Sequence, residues 1–594
     1  MAEHILVCTA WPYANGDQHL GHLAGNFVPA DIFARYHRLK GNHVLMVSGS
    51  DAHGTPITVR ADEEGIPPRD LFQRYHERFL DTFIDLGISY NLFTHTDTEN
   101  HYRVAQDIFQ KCLDNGFVYK ETQQQFFSPS QGRFLPDRYI EGTCPICGYE
   151  AARGDQCDNC KSLLDPTDLI NPHARNDNSP LELRDTEHFF LDLAALSDDI
   201  WSYLNDGKDF WRPNVINYSR GYVKEGLKGR PITRDIEWGI PLPLDGYESK
   251  RLYVWFEAVI GYFSASIEWA ANQETPEAWK DWWYTPEAKT FYFMGKDNIP
   301  FHSIIWPGEL FATGRRMYED DPDKQLNLPY NVLSNEYLTM KGGKFSTSRS
   351  YALWAPDFLS RFDPDPLRYY LTIIAPEARD TDFTFDDFIR RNNDELVAAW
   401  GNLVNRMLGF ARKNFNEQVP EPGEFDELDR DILAQVEAGF GEVGDLLEAG
   451  RIKAALEAAM ALARAANGYL DRKEPWKTIK TDRVAATTSV YIILRVIDNL
   501  KIILAPFLPE TCQKLHEFLG YEGRLFGRSY KQVFAESTRS HTGLCYDQTD
   551  VIGQWEPSQL SPGQTLRQPA PLFKKLDPEE TETMLNELLG GKKN

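Results

Sequence analysis

Short apolar runs alternate with longer amphipathic stretches over the first 115 residues. The runs are brief and nearly continuous, which is typical of buried strands, and they cover residues 4–8 and 44–48. The stretches have apolar positions three and four residues apart, which is typical of helices, and they cover residues 26–40, 68–86 and 98–115. Strands that alternate with helices predict an α/β fold built on a parallel sheet.

The pattern changes after residue 119, where a long insert is polar and irregular. Two further patterns of strand followed by helix then appear, at the aromatic-rich run 252–262 and at 291–302. Alanine-rich helical periodicity covers 386–470 and 482–519, which predicts an all-helical domain.

The longest apolar stretch, residues 491–508, does not indicate a membrane span. Arg495, Asp498 and Lys501 interrupt it at helical spacing, so we predict a core helix of a bundle. The chain also begins directly with a predicted strand and shows no basic and apolar leader. We therefore expect a cytoplasmic protein without a membrane partner.

Length and charge narrow the class of protein. At roughly 100–200 residues per domain, 594 residues predict about three to five domains. The formal net charge of −25 argues against a protein that coats DNA or RNA nonspecifically, because such binding depends on Lys and Arg that displace counterions. A single RNA held by local basic strips remains compatible with this charge.

Two CxxC pairs lie in the polar insert, at Cys144 and Cys147 and at Cys157 and Cys160. Each pair can aim two thiolates at one ion, so the spacing predicts a tetrahedral Zn²⁺ site. Four sulfur ligands leave no position for water, so this zinc is expected to be structural. Disulfides are the alternative, and a reducing compartment disfavours them. The remaining cysteines are scattered singly.

The segment 10–22 lies on a predicted turn from strand to helix and ends in His19-Leu20-Gly21-His22. Two imidazoles three residues apart lie on one face of a first helical turn, and Gly21 lets a ligand approach the backbone. Beside a helix N-terminus they can bind phosphate oxygens. Ordinary polar surface is the alternative.

Asp51 follows the second predicted strand in a turn flanked by glycines. Ligands gather at such strand ends in open α/β sheets, so the carboxylate is a candidate partner for an α-ammonium group. A turn-forming aspartate is the alternative.

The order of strand, Pro-Tyr, Asn-Gly, His-Leu-Gly-His and helix resembles the nucleotide-binding signature of class I aminoacyl-tRNA synthetases. The residues of this segment are most similar to those of the methionyl-tRNA synthetase family, and the resemblance covers nearly the whole chain. Residues 344–348, Lys-Phe-Ser-Thr-Ser, match the second signature, KMSKS, without its second lysine. The resemblance implies that His19, His22 and Lys344 are catalytic. It implies that ATP, with Mg²⁺, contacts His19, Gly21, His22, Lys344, Ser346, Thr347 and Ser348.

The resemblance also implies a methionine pocket. Its residues are Ala10, Trp11, Tyr13, Asp51, Trp255, Ala258, Tyr262 and His302. Rigid aromatic rings suit a thioether, although an aromatic core is the alternative reading of these residues. Trp11 stands where the family usually has a smaller apolar residue, and Val259 where it usually has proline.

Three residues match family positions that contact the tRNA anticodon: Asn402, Arg406 and Trp476. Asn402 and Arg406 lie four residues apart, on one helix face, and an indole can stack on an unpaired base. Without the resemblance, a solvated helix face is the favoured interpretation of Asn402 and Arg406.

The resemblance predicts ATP-dependent ligation of L-methionine to tRNA(Met) through methionyl-adenylate. It predicts a Rossmann-like parallel sheet with a zinc-containing insert, followed by an all-α anticodon-binding bundle. Two rival functions are another class I synthetase, such as that for cysteine, isoleucine or valine, and a noncatalytic RNA-binding paralogue. No DNA partner is expected, and because no appended β-barrel module follows, we expect a monomer.

The predicted division of the chain has six parts. They are 1–115, the first half of the catalytic nucleotide-binding domain; 116–230, a connective-peptide insert with the zinc knuckle; 231–325, the second catalytic half; 326–385, the KMSKS-type loop and stem-contact region; 386–545, the helical anticodon-binding domain; and 546–594, a tail that packs back on the catalytic domain.

Overall fold

The first 115 residues form alternating strands and helices. The structure is a computed structural model, and it describes residues 2–154, 157, 159–160, 164, 166–340, 343–344 and 352–590. The elements of the first 115 residues are β1 (His4–Thr9), α1 (Leu20–His22), α2 (Val28–Leu39), β2 (His43–Ser50), α3 (Thr55–Glu64), α4 (Pro68–Leu86), β3 (Leu92–His95) and α5 (Glu99–Asp114). A π-helical turn, Leu23–Phe27, joins α1 to α2. The sequence predicts that this helical segment begins at residue 26, which is wrong, since its first turn begins at Leu20. The prediction is late because Gly21 and Gly25 weaken the apolar pattern of the first turns.

A mostly antiparallel module is inserted after α5. Its elements are β4 (Val118–Ser128), β5 (Arg133–Phe134), β6 (Ile140–Thr143), β7 (Ala152–Arg153), β8 (Ile170–Ala174), β9 (Glu182–Leu191), α6 (Ser197–Asn205), α7 (Pro213–Lys224) and β10 (Arg230–Pro231). The order β10-β9-β4-β5 forms one sheet, and β7-β6-β8 forms a second. The 3-10 turn Asp137–Tyr139, which leads into β6 of the second sheet, packs against α3, where the Tyr139 hydroxyl donates to Asp62 Oδ2 at 2.8 Å. The insert is thus braced on the helix that follows Asp51.

The chain then returns to the main sheet. The elements are β11 (Thr233–Arg234), β12 (Arg251–Leu252), α8 (Val254–Ala271), α9 (Lys280–Trp283), β13 (Lys289–Gly295), α10 (Trp306–Thr313) and β14 (Asn331–Asn335). The strand expected within 252–262 is only two residues long, and most of that run is the start of α8. Aromatic residues favour strands locally, but Trp255, Ala258 and Tyr262 lie three and four residues apart, so a helix places them on one face.

Strands β14, β13, β1, β2 and β3 are neighbours in that order and run parallel. The carboxyl ends of parallel strands meet at one edge of a sheet, where ligands bind. The histidine motif follows β1, Asp51 follows β2 and His302 follows β13. β14 also belongs to this sheet, although the predicted second catalytic half ends at residue 325. The prediction interprets the Pro/Asp-rich stretch before β14 as a linker between domains, whereas it is a surface connection within one domain.

The next region contains β15 (Leu338–Met340), β16 (Gly343–Lys344), α11 (Ala355–Leu359), α12 (Pro364–Ile373) and β17 (Thr381–Phe383). The predicted helical domain follows it. Its helices are α13 (Phe385–Arg391), α14 (Asn402–Asn414), α15 (Glu427–Glu448), α16 (Ile452–Lys473), α17 (Pro475–Thr478), α18 (Arg483–Leu504) and α19 (Pro509–Phe518). Helices α15, α16 and α18 pack on one another and bury apolar side chains between them, as in a bundle.

The prediction of helix up to residue 545 is wrong at its end. The chain forms a hairpin there, β18 (Arg528–Ala535) and β19 (Ser540–Asp547), and β19 pairs antiparallel with β3. The catalytic sheet therefore has seven strands, in the order β14-β13-β1-β2-β3-β19-β18. The hairpin covers the otherwise open edge of β3, a long-range pairing that helical composition nearby does not reveal.

The tail contacts both large parts of the protein. The Trp555 N–H donates to the carbonyl oxygen of Leu39 at 2.7 Å, and the Asn393 amide donates to that of Leu576 at 2.8 Å. A final helix, α20 (Pro578–Gly590), packs on α13. Across the ranges that the structure describes, no helix is both long and apolar enough to cross a membrane.

Candidate active site and metal centre

His19 and His22 form a stacked pair at the start of α1. Their ring centroids lie 3.6 Å apart and their planes differ by 15°. His19 Nδ1 accepts from the His22 N–H at 3.3 Å, and His22 Nδ1 accepts from the His19 N–H at 3.4 Å. Because each Nδ1 is an acceptor, each neutral ring carries its proton at Nε2. The pair therefore presents two N–H donors that suit an anion.

The chain that follows the KMSKS-type loop is hydrogen-bonded to the histidine motif. The Leu20 N–H donates to the carbonyl oxygen of Leu353 at 3.0 Å, and the Ala355 N–H donates to that of Gln18 at 2.7 Å. On the other side of the loop, the backbone of Lys344 pairs with Thr339 in β15, which lies against α1. The side chain of Lys344, and Ser346, Thr347 and Ser348, lie outside the described residues. Both flanks of the loop are nevertheless close to the histidines.

The predicted pocket residues come together between β1, β2, α8 and the segment after β13. The Trp255 indole donates to the Tyr13 hydroxyl at 2.8 Å, and Tyr13 pairs through its backbone with Asp51. The rings of Trp11 and Tyr262 lie 6.2 Å apart, edge to face. Ala10 directly follows β1, and Ala258 lies on the same face of α8 as Trp255 and Tyr262.

His302 and Tyr262 are both buried at the back of this pocket. His302 Nε2 lies 2.7 Å from the Tyr262 hydroxyl oxygen, and His302 Nδ1 lies 2.9 Å from the carbonyl oxygen of Asn298. Burial lowers the pKa of His302 to about 4, and burial raises the pKa of Tyr262 well above its ordinary value. Both side chains are therefore neutral near pH 7.

Two glycines make room for the unusual Trp11. A Cβ on Gly49 would lie 2.1 Å from the Trp11 ring, and one on Gly261 would lie 2.6 Å from it. The larger side chain is thus accommodated by close approach to β2 and α8. Val259, the second departure from the family pattern, is buried in the apolar core beside the pocket.

The Asp51 carboxyl is buried and accepts a hydrogen bond from the His53 N–H at 3.1 Å. Burial raises its pKa well above the ordinary value, and the nearby charge of Glu257 raises it further. An entering cation would reverse this shift by favouring the ionised form.

Sequence reasoning missed Glu257, a carboxylate with no solvent exposure. It lies 2.9 Å from His53 Nδ1 and 2.7 Å from His101 Nε2. Burial alone would raise its pKa, but the two imidazoles bring the pKa below its ordinary value. The only sequence signal was a charged residue inside the apolar run 252–262.

The four predicted zinc ligands lie together. Their sulfur atoms are all within 4.8 Å of one another, with 3.9 Å between Cys144 and Cys160 and 3.6 Å between Cys147 and Cys157. Ligands about 2.3 Å from a tetrahedral zinc are about 3.8 Å apart. The cluster therefore fits one metal ion held by sulfur alone.

Two of the predicted anticodon residues are in contact. The Arg406 guanidinium lies 4.9 Å from the centroid of the half-buried Trp476 ring. Asn402 is exposed one helical turn away on α14. The Trp476 ring also packs partly against the apolar core, and the part that remains exposed, beside the Arg406 cation, can stack on a base.

Comparisons with known proteins identify the family. The family model "tRNA synthetases class I (M)" matches residues 5–408, and the model "Anticodon binding domain of methionyl tRNA ligase" matches residues 419–542. A methionine–tRNA ligase of Thermomicrobium roseum is 54% identical over 99% of each chain. One of Chloroflexus aggregans is 55% identical over 98% of this chain and 99% of its own.

A comparison with solved structures leads to the same family. A crystal structure of Mycobacterium tuberculosis methionyl-tRNA synthetase, bound by methionyl-adenylate, superposes with a TM-score of 0.75 at 22% identity. The superposition covers 96% of this chain and all of the other. The predicted fold class is confirmed, and the chain belongs to the methionine–tRNA ligases, within the class I aminoacyl-tRNA synthetases.

Proposed function

We propose that this enzyme joins methionine to tRNA(Met) at the carboxyl edge of the sheet, using the residues that converge there. The observation that carries this proposal is the juxtaposition of a stacked histidine pair, a buried carboxylate and an aromatic pocket at the ends of adjacent strands. These three features suit the triphosphate, the amino group and the side chain of the substrates.

Methionine binds between the rings, with its ammonium group on Asp51 and its thioether against Trp11, Tyr262 and His302. Sulfur packs well on aromatic edges and needs only weak hydrogen bonds. The neutral Tyr262 and His302 support this assignment, because a charged group there would lose its hydration when an apolar side chain binds against it.

The methionine carboxylate then attacks the α-phosphorus of ATP in line, and pyrophosphate leaves. A ribose hydroxyl of the terminal adenosine of tRNA then attacks the carbonyl carbon of the adenylate, so that the methionyl ester forms and AMP leaves. His19, His22 and Lys344 stabilise the charge that develops on the phosphates, and Gly21, Ser346, Thr347 and Ser348 bind ATP. Mg²⁺ bound with ATP supplies further charge neutralisation. No side chain forms a covalent intermediate.

In the helical domain, Asn402, Arg406 and Trp476 bind the anticodon. The four cysteines hold structural Zn²⁺, a proposal supported by the sulfur geometry and by its closed coordination. Their thiolate chemistry favours a reducing compartment, so we place the enzyme in the cytoplasm.

We retain the six-part division of the chain, with residues 528–547 assigned to the catalytic sheet. We also propose that the enzyme is a monomer. Light scattering on the purified enzyme would test this.

Substitution of the histidine pair tests the site. His19→Asn and His22→Asn should each slow methionine-dependent pyrophosphate exchange by about 10²–10³, with little change in methionine affinity. His43→Asn is the matched control, because His43 is exposed at the opposite end of β2. Exchange that is equally fast in all three variants would refute the assignment.

A further inference from the structure

Glu257 on helix α8 contacts both helix α5, through His101, and the loop after β2 that carries Asp51, through His53. It extends from α8, and its two oxygens meet imidazoles from different elements, with His53 Nδ1 at 2.9 Å and His101 Nε2 at 2.7 Å. A carboxylate only accepts hydrogen bonds, so both imidazoles donate to it. All three side chains are at most 2% exposed, so water does not compete for these bonds.

His53 carries this contact to Asp51. The main-chain N–H of His53 donates to Asp51 Oδ1 at 3.1 Å, while its ring is held by Glu257 on one side. The other ring nitrogen lies 3.1 Å from the Tyr102 hydroxyl, which donates to Asp97. The ring therefore has a fixed orientation, and with it the turn that aims the Asp51 carboxylate.

The same helix forms the wall of the pocket. Trp255 and Ala258 flank Glu257 in sequence, and the Trp255 indole bonds to Tyr13. His101 extends the network toward the pocket, because its ring centroid lies 6.3 Å from that of Trp11. Glu257 thus connects the part of the site that meets the amino group with the part that meets the side chain.

We propose that Glu257 is a positioning residue for the amino group of the substrate, acting through His53 on Asp51. Its buried negative charge also adds to the attraction for an ammonium ion. This inference rests on the proposed role of Asp51, and it assigns to Glu257 selectivity for an amino acid over the same molecule without its amine.

The test is binding of two probes measured by calorimetry near neutral pH. L-methioninol has the ammonium group and the thioether side chain, and 4-(methylthio)butan-1-ol lacks only the amine. The dissociation constant of 4-(methylthio)butan-1-ol divided by that of L-methioninol measures recognition of the amino group. We expect Glu257→Gln to lower this ratio at least tenfold by weakening L-methioninol binding alone, and Glu257→Asp, which keeps the charge, to restore part of it.

Glu268→Gln is the matched control. Glu268 is also buried on α8 and bonded to a histidine, His541 at 2.8 Å, but it lies about 16 Å further along the helix at a rise of 1.5 Å per residue. It should leave the ratio unchanged. If Glu257→Gln does not fold, His53→Asn should lower the ratio in the same way, because it removes the bond to Glu257.

Asp51→Asn separates the two assignments. A lowered ratio in Asp51→Asn together with an unchanged ratio in Glu257→Gln would overturn the inference and leave the proposed function intact. Equal weakening of both probes in Glu257→Gln would show a merely structural role and would also overturn it. An unchanged ratio in Asp51→Asn would refute Asp51 as the ammonium ligand, and the inference with it.

Discussion

The Tyr262 hydroxyl donates to His302 Nε2 at 2.7 Å, because the other nitrogen of that ring donates to the carbonyl oxygen of Asn298. The single proton of the hydroxyl is therefore used inside the protein and is not available to a ligand. This leaves an uncharged surface at the back of the pocket, as a thioether requires.

The neutral state of His302 makes stability depend on pH. Its pKa is about 4 in the folded protein and 6.5 when exposed, so only the unfolded chain binds the proton between these values. The stabilisation is complete above pH 6.5 and is lost as the pH falls toward 4, by about 3 kcal/mol in all.

We expect the stability advantage of the native enzyme over His302→Gln to shrink as the pH is lowered. Thermal unfolding of both proteins across this range checks it, and the comparison cancels the contributions of other titrating groups. An advantage that stays constant with pH would contradict a neutral, buried His302.

The zinc knuckle should be separable from the chemistry. Cys147→Ser should release zinc and unfold the small sheet around it, because a structural metal ion supplies folding energy, while much of the adenylate formation remains. Metal analysis and pyrophosphate exchange measure the two effects. Cys545→Ser, which changes a buried cysteine outside the cluster, should keep its zinc. A native enzyme without bound zinc would refute the assignment.

Trp476→Ala should impair charging of tRNA far more than pyrophosphate exchange. Stacking on a base contributes about 1–3 kcal/mol, and exchange needs no tRNA. Lys477→Ala is a suitable control, since that exposed side chain is paired with Glu474. Equal losses in both assays would indicate that Trp476 supports the fold.

The missing second lysine of the loop leads to a prediction from sequence, since the loop lies outside the described residues. Removal of a hydrogen-bond donor that faces the developing charge slows a reaction about 10²–10³-fold. Arg349, always protonated and able to reach two phosphate oxygens, is the better candidate to replace it than Lys341. Lys344→Ala should nearly abolish adenylate formation, Arg349→Ala should lower it clearly, and Thr347→Ala should change it little. Normal exchange in Arg349→Ala with slow exchange in Lys341→Ala would move the role to Lys341.

The sequence predicted the parts of the site whose signals are local. His19 and His22, Asp51 and the cysteine pairs each sit in a short segment whose turn, strand end or spacing reveals its chemistry. Their convergence at one edge follows from parallel strands, which is why the ligand side of the sheet could be anticipated.

The parts that the sequence missed depend on distant partners. Glu257 is 204 residues from His53 and 156 from His101, so no local pattern marks it as more than a charge in an apolar run. Strand β19 of the hairpin pairs Leu544 with Phe93, two residues that lie far apart in the sequence, so no local pattern predicts this pairing. The run 252–262 predicts a strand that leads into a helix, and only the strand part is wrong. Its aromatic residues favour a strand locally, but α8 already begins at Val254.

Amino-acid-dependent pyrophosphate exchange, followed by charging of tRNA, tests the central claim most directly. Each amino acid is supplied separately with ATP to the whole enzyme, and the account predicts that methionine alone supports exchange and that tRNA(Met) then becomes charged. Exchange with cysteine, isoleucine or valine instead, or RNA binding by a well-folded protein that shows no exchange with methionine, would contradict it.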